Sequence, residues 1–154
     1  TTNFILTRMT ESPAPSAADC PVLWPVATRW EDNDHYGHVN NVTYYSYFDT
    51  AVNGWLMAST GLDIRTLPAI GVVAETSCRF LSQLSFPDDL RVGIAVERLG
   101  NTSIVYALSI FRVDGDDLTP AAAGRFVHVY VDAETRRPTP VPAEIRAVVE
   151  ALEQ

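Results

Sequence analysis

The chain contains no lysine. All 11 of its basic residues are arginine, set against 19 carboxylates, so its 154 residues carry a net charge of −8. Binding to a phosphate backbone needs a basic face, which argues against nucleic acid as the main partner. A local arginine cluster for a phosphorylated small molecule stays open. Cysteine is also scarce: Cys20 and Cys78 form no CxxC and are too few for a disulfide framework. They read as reduced, inert thiols of a cytoplasmic protein. No apolar run approaches the roughly 18 residues of a membrane-spanning helix. Phe4-Ile5-Leu6 is too short for the core of a secretory signal, so no membrane partner is expected. The chain also has no GxSxG elbow, Walker A loop, GxGxxG or HExxH.

What remains is 47% hydrophobic and 19% charged, which suits one compact domain. Residues 1–20 include SPAPSAAD and read as an N-terminal tail; 21–154 read as a single domain. Residues 22–30 predict a strand, which Pro25 confines to an edge or a bulge. After a polar stretch, Tyr44, Tyr45, Tyr47, Phe48, Ala51, Val52, Trp55 and Leu56 recur at helical spacing. This predicts a helix of about five turns, buried on most of its circumference. Asn40 or Asn41 is its expected N-cap, Gly61 closes it, and Gly54 inside it allows close backbone approach. Strands are predicted over 70–80, 89–98, 102–113 and 121–131. The turn signals Pro87-Asp88-Asp89, Gly100-Asn101 and Asp114-Gly115-Asp116-Asp117 between them predict antiparallel hairpins. A loop over 132–142 and a short helix over 143–153 follow.

The class is therefore α+β, in the order strand, long helix, four antiparallel strands. One helix covers one face of the sheet. The runs 102–113 and 121–131 are apolar on both faces, and only the short C-terminal helix is left for the second. The simplest missing layer is another subunit, so a homo-oligomer is expected.

The stretch Glu31 to Asn41, EDNDHYGHVNN, holds three carboxylates, two histidines and three asparagines. As a calcium loop it starts well, with Asp32, Asp34 and Gly37 in register. It then fails where Tyr36 and Thr43 stand in place of ligands. Asp34, His35 and His38 offer a transition-metal set, but on a turn that does not guarantee their convergence. A polar capped turn accounts for most of the Asp, Asn and Gly residues. A fourth reading is catalytic. A carboxylate lies just before a long helix whose first N–H groups are free and carry partial positive charge. Such an end polarises a carbonyl, and an ionised aspartate attacks it or activates water. That pairing suits hydrolysis of an activated acyl group.

The segment TRWEDNDHYGHVNNVTYYSYFDTA resembles the hotdog-fold acyl-CoA thioesterases of the 4-hydroxybenzoyl-CoA thioesterase type. Their motif runs R-[WY]-x-D-x-D-x-x-G-H-V-N-N-x-x-Y-x-x-Y-[FL]-E. Arg29, Trp30, Asp32, Asp34, Gly37, His38, Val39, Asn40, Asn41, Tyr44, Tyr47 and Phe48 match it in register; Asp49 replaces the glutamate. FLSQLSFPDDLRVGIAVERLGNTSIVYALSIF and FVHVYVDAETRRPTPVPAEIRAVVE resemble later strands and the tail of the family, so the likeness spans about residues 22–152.

The resemblance implies a five-stranded antiparallel sheet wrapped around a long central helix. It implies dimers or dimers of dimers with active sites at subunit interfaces. The substrate is an acyl-CoA, and no metal or organic cofactor is expected. Asp34 becomes the catalytic carboxylate, as nucleophile or general base. The N–H near Asn41 becomes the carbonyl polariser, and His38 lines the site. Gly37, Val39, Asn40 and Tyr44 are the candidate substrate contacts. Asp32 is expected to cap the turn, Tyr47 to share the acyl pocket or the core, His35 to be exposed and His128 to be structural. Glu75 falls outside the expected site, and Arg136 and Arg137 read as a solvated pair. Two other activities fit the same fold: a non-catalytic acyl-thioester binder, and a hydroxyacyl-thioester dehydratase in which His38 would work with an acid.

Overall fold

The computed structural model describes residues 13–153, so the first twelve positions of the expected tail lie outside the described residues. Strand β1 (Val22–Ala27) alternates half-buried Val22, Trp24 and Val26 with exposed residues. Helix α1 (Thr43–Thr60) follows, then β2 (Ala69–Phe80), β3 (Asp89–Leu99), β4 (Ser103–Asp114), β5 (Asp117–Asp132) and helix α2 (Ala143–Leu152). The strands form one antiparallel sheet in the order β1-β3-β4-β5-β2, draped over α1, which is the expected hotdog arrangement. Pro25 sits opposite Arg91 on the edge strand β1, where a residue without an N–H costs no inner ladder bond.

Helix α1 forms because its apolar residues fall at intervals of three and four. Tyr44, Tyr47, Phe48, Ala51, Val52, Trp55 and Leu56 are all buried. Each large side chain among them contributes about 1.5–3 kcal/mol by leaving water. The burial is a stripe rather than most of the circumference, since Ser46, Asp49 and Thr50 remain exposed or half-exposed. Gly61 closes the helix in the left-handed region at φ 69°, its N–H donating to the Met57 carbonyl. Close approach to the sheet depends on Gly124. A Cβ there would lie 2.5 Å from a Phe48 ring carbon and 2.9 Å from the Ser77 carbonyl oxygen. Gly54 likewise brings α1 against the Trp24 indole, 3.0 Å from where its Cβ would stand.

Four expectations need correction. The first strand stops at Ala27 rather than 30, because Thr28 bonds to the Asp88 carbonyl and Trp30–Asp32 form a 3-10 turn. Strand β5 begins at Asp117, four residues early, because Gly115 (φ 63°) makes a two-residue turn that keeps β4 and β5 paired to their ends. The turn at Pro87-Asp88-Asp89 closes no hairpin. Strand β2 pairs with β5 on the far edge, so residues 81–88 carry the chain across the sheet. Finally, α2 does not cover the second face. It packs beside α1 and against β3, with Ile145 and Val149 joining the same core. On the opposite face of the sheet the chain near Cys20 comes into contact, its thiol 3.7 Å from the Ser109 hydroxyl.

Candidate active site

The polar segment after β1 is held by its first aspartate. Asp32 is 3% exposed, and its Oδ2 accepts both the Arg29 N–H and the Tyr47 hydroxyl at 2.8 Å. The Arg29 guanidinium adds an ion pair to Oδ1 at 3.3 Å. A carboxylate so enclosed and so fully engaged is a structural anchor joining the loop to α1. Burial, and then the bond to Asp32, push the Tyr47 phenol far above its usual range, so it stays a donor.

The second aspartate is placed differently. The Asp34 N–H donates to the His38 carbonyl at 2.8 Å, and Gly37 N–H returns a bond to the Asp34 carbonyl at 3.1 Å. Gly37 makes this tight reversal at φ 82°, with nothing within 4 Å of a would-be Cβ; the constraint is conformational, not steric. Asp34 Oδ1 accepts the Tyr36 N–H at 2.9 Å, the bond of an Asx turn. Oδ2 accepts no hydrogen bond among the described residues, which leaves it free for a ligand or a water.

Across from this turn runs the segment linking β2 to β3. Three bonds join the two: Val39 N–H to the Leu84 carbonyl at 2.8 Å, the Ser85 hydroxyl to the Gly37 carbonyl at 2.7 Å, and Phe86 N–H to Asn33 Oδ1 at 3.0 Å. Between them lies a cleft of about 480 Å³. Asp34, His38 and Asn41 line it together with Tyr36, Val39 and Tyr44; residues 80–84 form the other wall. Tyr44 meets Phe80 edge to face at 4.9 Å, and burial pushes its phenol up from the ordinary range. The cleft thus has an aromatic wall and a carboxylate at one side.

The start of α1 opens into the same space. Its N-cap is Val42, which has no side chain to cap with, rather than Asn40 or Asn41. Asn40 works one residue upstream: its Oδ1 accepts the Val42 N–H at 3.1 Å and its carbonyl accepts Thr43 N–H at 2.9 Å. The Asn41 N–H finds no acceptor among the described residues. It stands at the positive end of an 18-residue helix, a place where an oxyanion is stabilised.

Five of the candidate residues therefore meet in one cleft: Asp34, His38, Val39, Asn41 and Tyr44. Gly37 and Asn40 support it from behind, through the turn and the helix entry. His35 is exposed and stacks on Tyr36 at 4.0 Å, away from Asp34. Among the described residues, no three His, Cys, Asp or Glu side chains converge as a metal site would require. Glu75 lies exposed on β2, 3.9 Å from Arg125, and Arg136 and Arg137 are exposed beyond β5. Sequence reasoning missed the wall from Phe80 to Leu84. Its apolar residues beside a Ser-Phe-Pro turn were visible, but nothing local says that they face Asp34.

Comparisons with known proteins were made once this geometry was in hand. Residues 28–149 match the family model of the thioesterase-like superfamily. The PA5185 protein from Pseudomonas aeruginosa superposes with a TM-score of 0.85 at 45% identity, over 91% of this chain and 96% of that one. A thioesterase from Thermus thermophilus, solved with coenzyme A and Zn, gives 0.71 at 29% identity, over 88% and 96%. The Bacillus subtilis protein YsmA is 26% identical over 110 residues, 71% of this chain and 72% of that one.

Proposed function

The chain belongs to the thioesterase-like superfamily, and from that premise we propose that it hydrolyses an acyl-CoA thioester to a carboxylic acid and free CoA. The observation that carries this reading is the free Oδ2 of Asp34 in the same cleft as the unpaired N–H of Asn41. Coenzyme A bound to the Thermus thioesterase, at 29% identity, supports CoA as the carrier.

In this reading the thioester carbonyl lies against the α1 N-terminus, and the Asn41 N–H donates to its oxygen. That donor stabilises the negative charge as the carbonyl becomes tetrahedral, and each such donor is worth about 10²–10³ in rate. Asp34 then acts by one of two routes. As general base it takes a proton from a water that attacks the carbonyl carbon; the C–S bond breaks, and the CoA thiolate leaves and is protonated. As nucleophile its Oδ2 attacks directly, the thiolate leaves, and water cleaves the resulting anhydride. His38 lines the cleft and orients the water. Val39, Tyr44 and Phe80 exclude bulk solvent from the acyl group. Although the Thermus structure contains Zn, no three metal-ligating side chains converge among the described residues here, so no step runs through a metal.

The working form is a homo-oligomer. Strand β2 is an edge strand exposed from Gly71 to Ser77 on both faces, with Val73 at 46% and Phe80 at 47%. A long apolar edge is a template for further strand pairing, which a second copy would complete. No described helix is long and apolar enough to cross a membrane.

Free-thiol release from a panel of short, long and aromatic acyl-CoAs tests the reaction. Release of CoA with one class of acyl group is the expected result. If no member of the panel releases thiol while binding is still detected, the chain is an acyl-thioester binder. Loss or gain of water from a hydroxyacyl-CoA without thiol release would make it a dehydratase.

A further inference from the structure

A second cavity lies at the other end of α1. Asn53 and Leu56 line it, together with Ile64, Gly71, His128 and Tyr130 among others, and it encloses about 140 Å³. Asn53 is twelve residues beyond Asn41, about 18 Å along the helix axis. The cavity is therefore separate from the Asp34 cleft, and none of the residues that line that cleft lines it.

Its chemistry is specific. The walls are mainly aliphatic, and the volume is close to that of an apolar cavity of about 150 Å³ that holds benzene. His128 is the exception in the wall. It is 3% exposed, and its Nε2 has no hydrogen-bond partner among the described residues. Behind it the Tyr106 hydroxyl is also buried and unpartnered, the two rings meeting at 5.3 Å. Two orphaned polar atoms side by side are rare in a folded interior, because each forfeits its hydrogen bonds to water without replacing them. Asn53 commits its amide N–H groups to Asp49, leaving its oxygen available. The charges nearby are already matched: Arg65 at the mouth is bonded to Asp63 at 2.9 Å. Burial pushes His128 from 6.5 down to about 4, with Asp49 pulling weakly the other way, so the imidazole is neutral at pH 7.

We propose that this cavity is a second small-molecule site, taking an uncharged ligand with an apolar body of one ring or a short chain and a single hydroxyl head that hydrogen-bonds His128. A carboxylate is disfavoured, since no unmatched cation faces the cavity. A hydrocarbon fills the space but leaves His128 unsatisfied.

Cyclohexanol, cyclohexane and cyclohexane carboxylate distinguish these cases. Each is titrated into the intact chain, with the His128 ring resonances followed by NMR. Cyclohexanol should shift those resonances and bind at least tenfold more tightly than cyclohexane, while the carboxylate leaves them unmoved. In His128→Leu the tenfold preference should vanish, with thermal unfolding used to confirm that the variant is folded. Equal binding of alcohol and hydrocarbon to the parent chain would overturn the proposal without recourse to any variant. So would unmoved resonances at saturating cyclohexanol, which would mean that the cavity holds only water.

Discussion

Replacing Asp34 with Asn tests the proposed chemistry while leaving the local architecture intact. The side chain does two jobs. Oδ1 accepts the Tyr36 N–H at 2.9 Å and so holds the turn, whereas Oδ2 makes no protein bond and is the reactive atom. Asn keeps an oxygen for the first job and loses the basicity needed for the second. Removing a general base lowers turnover by about 10²–10⁴, which is about 3–5 kcal/mol of barrier at about 1.4 kcal/mol per factor of ten. Folding stability should move by less than about 0.5 kcal/mol, the usual range for a change that breaks no named interaction. Asp34→Ala provides the contrast. It should be equally inactive but also lose the turn bond, about 1 kcal/mol, or about 2–4 °C in melting temperature for a domain of this size. The assays are steady-state thiol release and thermal unfolding of the three chains side by side. Turnover of Asp34→Asn within a few-fold of the parent would refute the assignment. A large loss of stability in the same variant would refute the division of labour between the two oxygens.

Other perturbations follow from the same structure. Gly37→Ala puts a Cβ at φ 82° and should cost about 1–2 kcal/mol, with kcat falling more than KM rises as Asp34 loses its turn; urea denaturation and steady-state kinetics check the two parts. Gly124→Ala drives a methyl group to within 2.5 Å of the Phe48 ring and should lower stability by about 1–3 kcal/mol, read as a fall in the urea midpoint. Tyr47→Phe removes one of the hydrogen bonds to buried Asp32 and should cost about 1.5–3 kcal/mol, measured in the same way. His128 carries a pH dependence. Its folded value of about 4 lies below the ordinary 6.5, so the unfolded chain takes up the proton first. Stability is whole above pH 6.5 and falls as pH drops through the window to 4, by about 3 kcal/mol from this group. His128→Leu should flatten that part of the parent's pH–stability curve, and an unchanged slope would contradict it.

Much of the fold is legible in local pattern. The helix over 43–60 announces itself through apolar residues three and four apart, and the strands through alternation or continuous apolar runs. Gly61 and Gly115 mark ends that need positive φ. The site was legible as a motif, because a carboxylate, a turn glycine and a helix start lie within a few residues of one another. Three things were not. Asn40 and Asn41 both look like caps, and only the backbone path shows that Val42 takes that place while Asn40 bonds one step earlier. The turn at Pro87 looks like a hairpin, yet β2 lies at the far edge; a turn residue reports the local bend and not which strand comes next in the sheet. The buried stripe on α1 is narrower than its aromatic content suggests, because Tyr45 is only half-buried.

By itself the sequence determined the element order, the carboxylate-rich loop, and the placing of that loop at the head of a long helix. It also determined, through Gly37, that the loop turns back sharply. Only the tertiary structure divided the two aspartates. Asp32 and Asp34 are two residues apart and chemically identical, but one is enclosed by Tyr47 and Arg29 while the other keeps a free oxygen in the cleft. Only the tertiary structure, too, supplied the second wall. Residues 80–86 meet residues 33–39 through backbone groups, as in the bond from Phe86 N–H to Asn33 fifty-three positions away. Backbone donors are the same at every residue type except proline. A contact built from them leaves little trace in the sequence and exists only once the sheet has brought the two segments together.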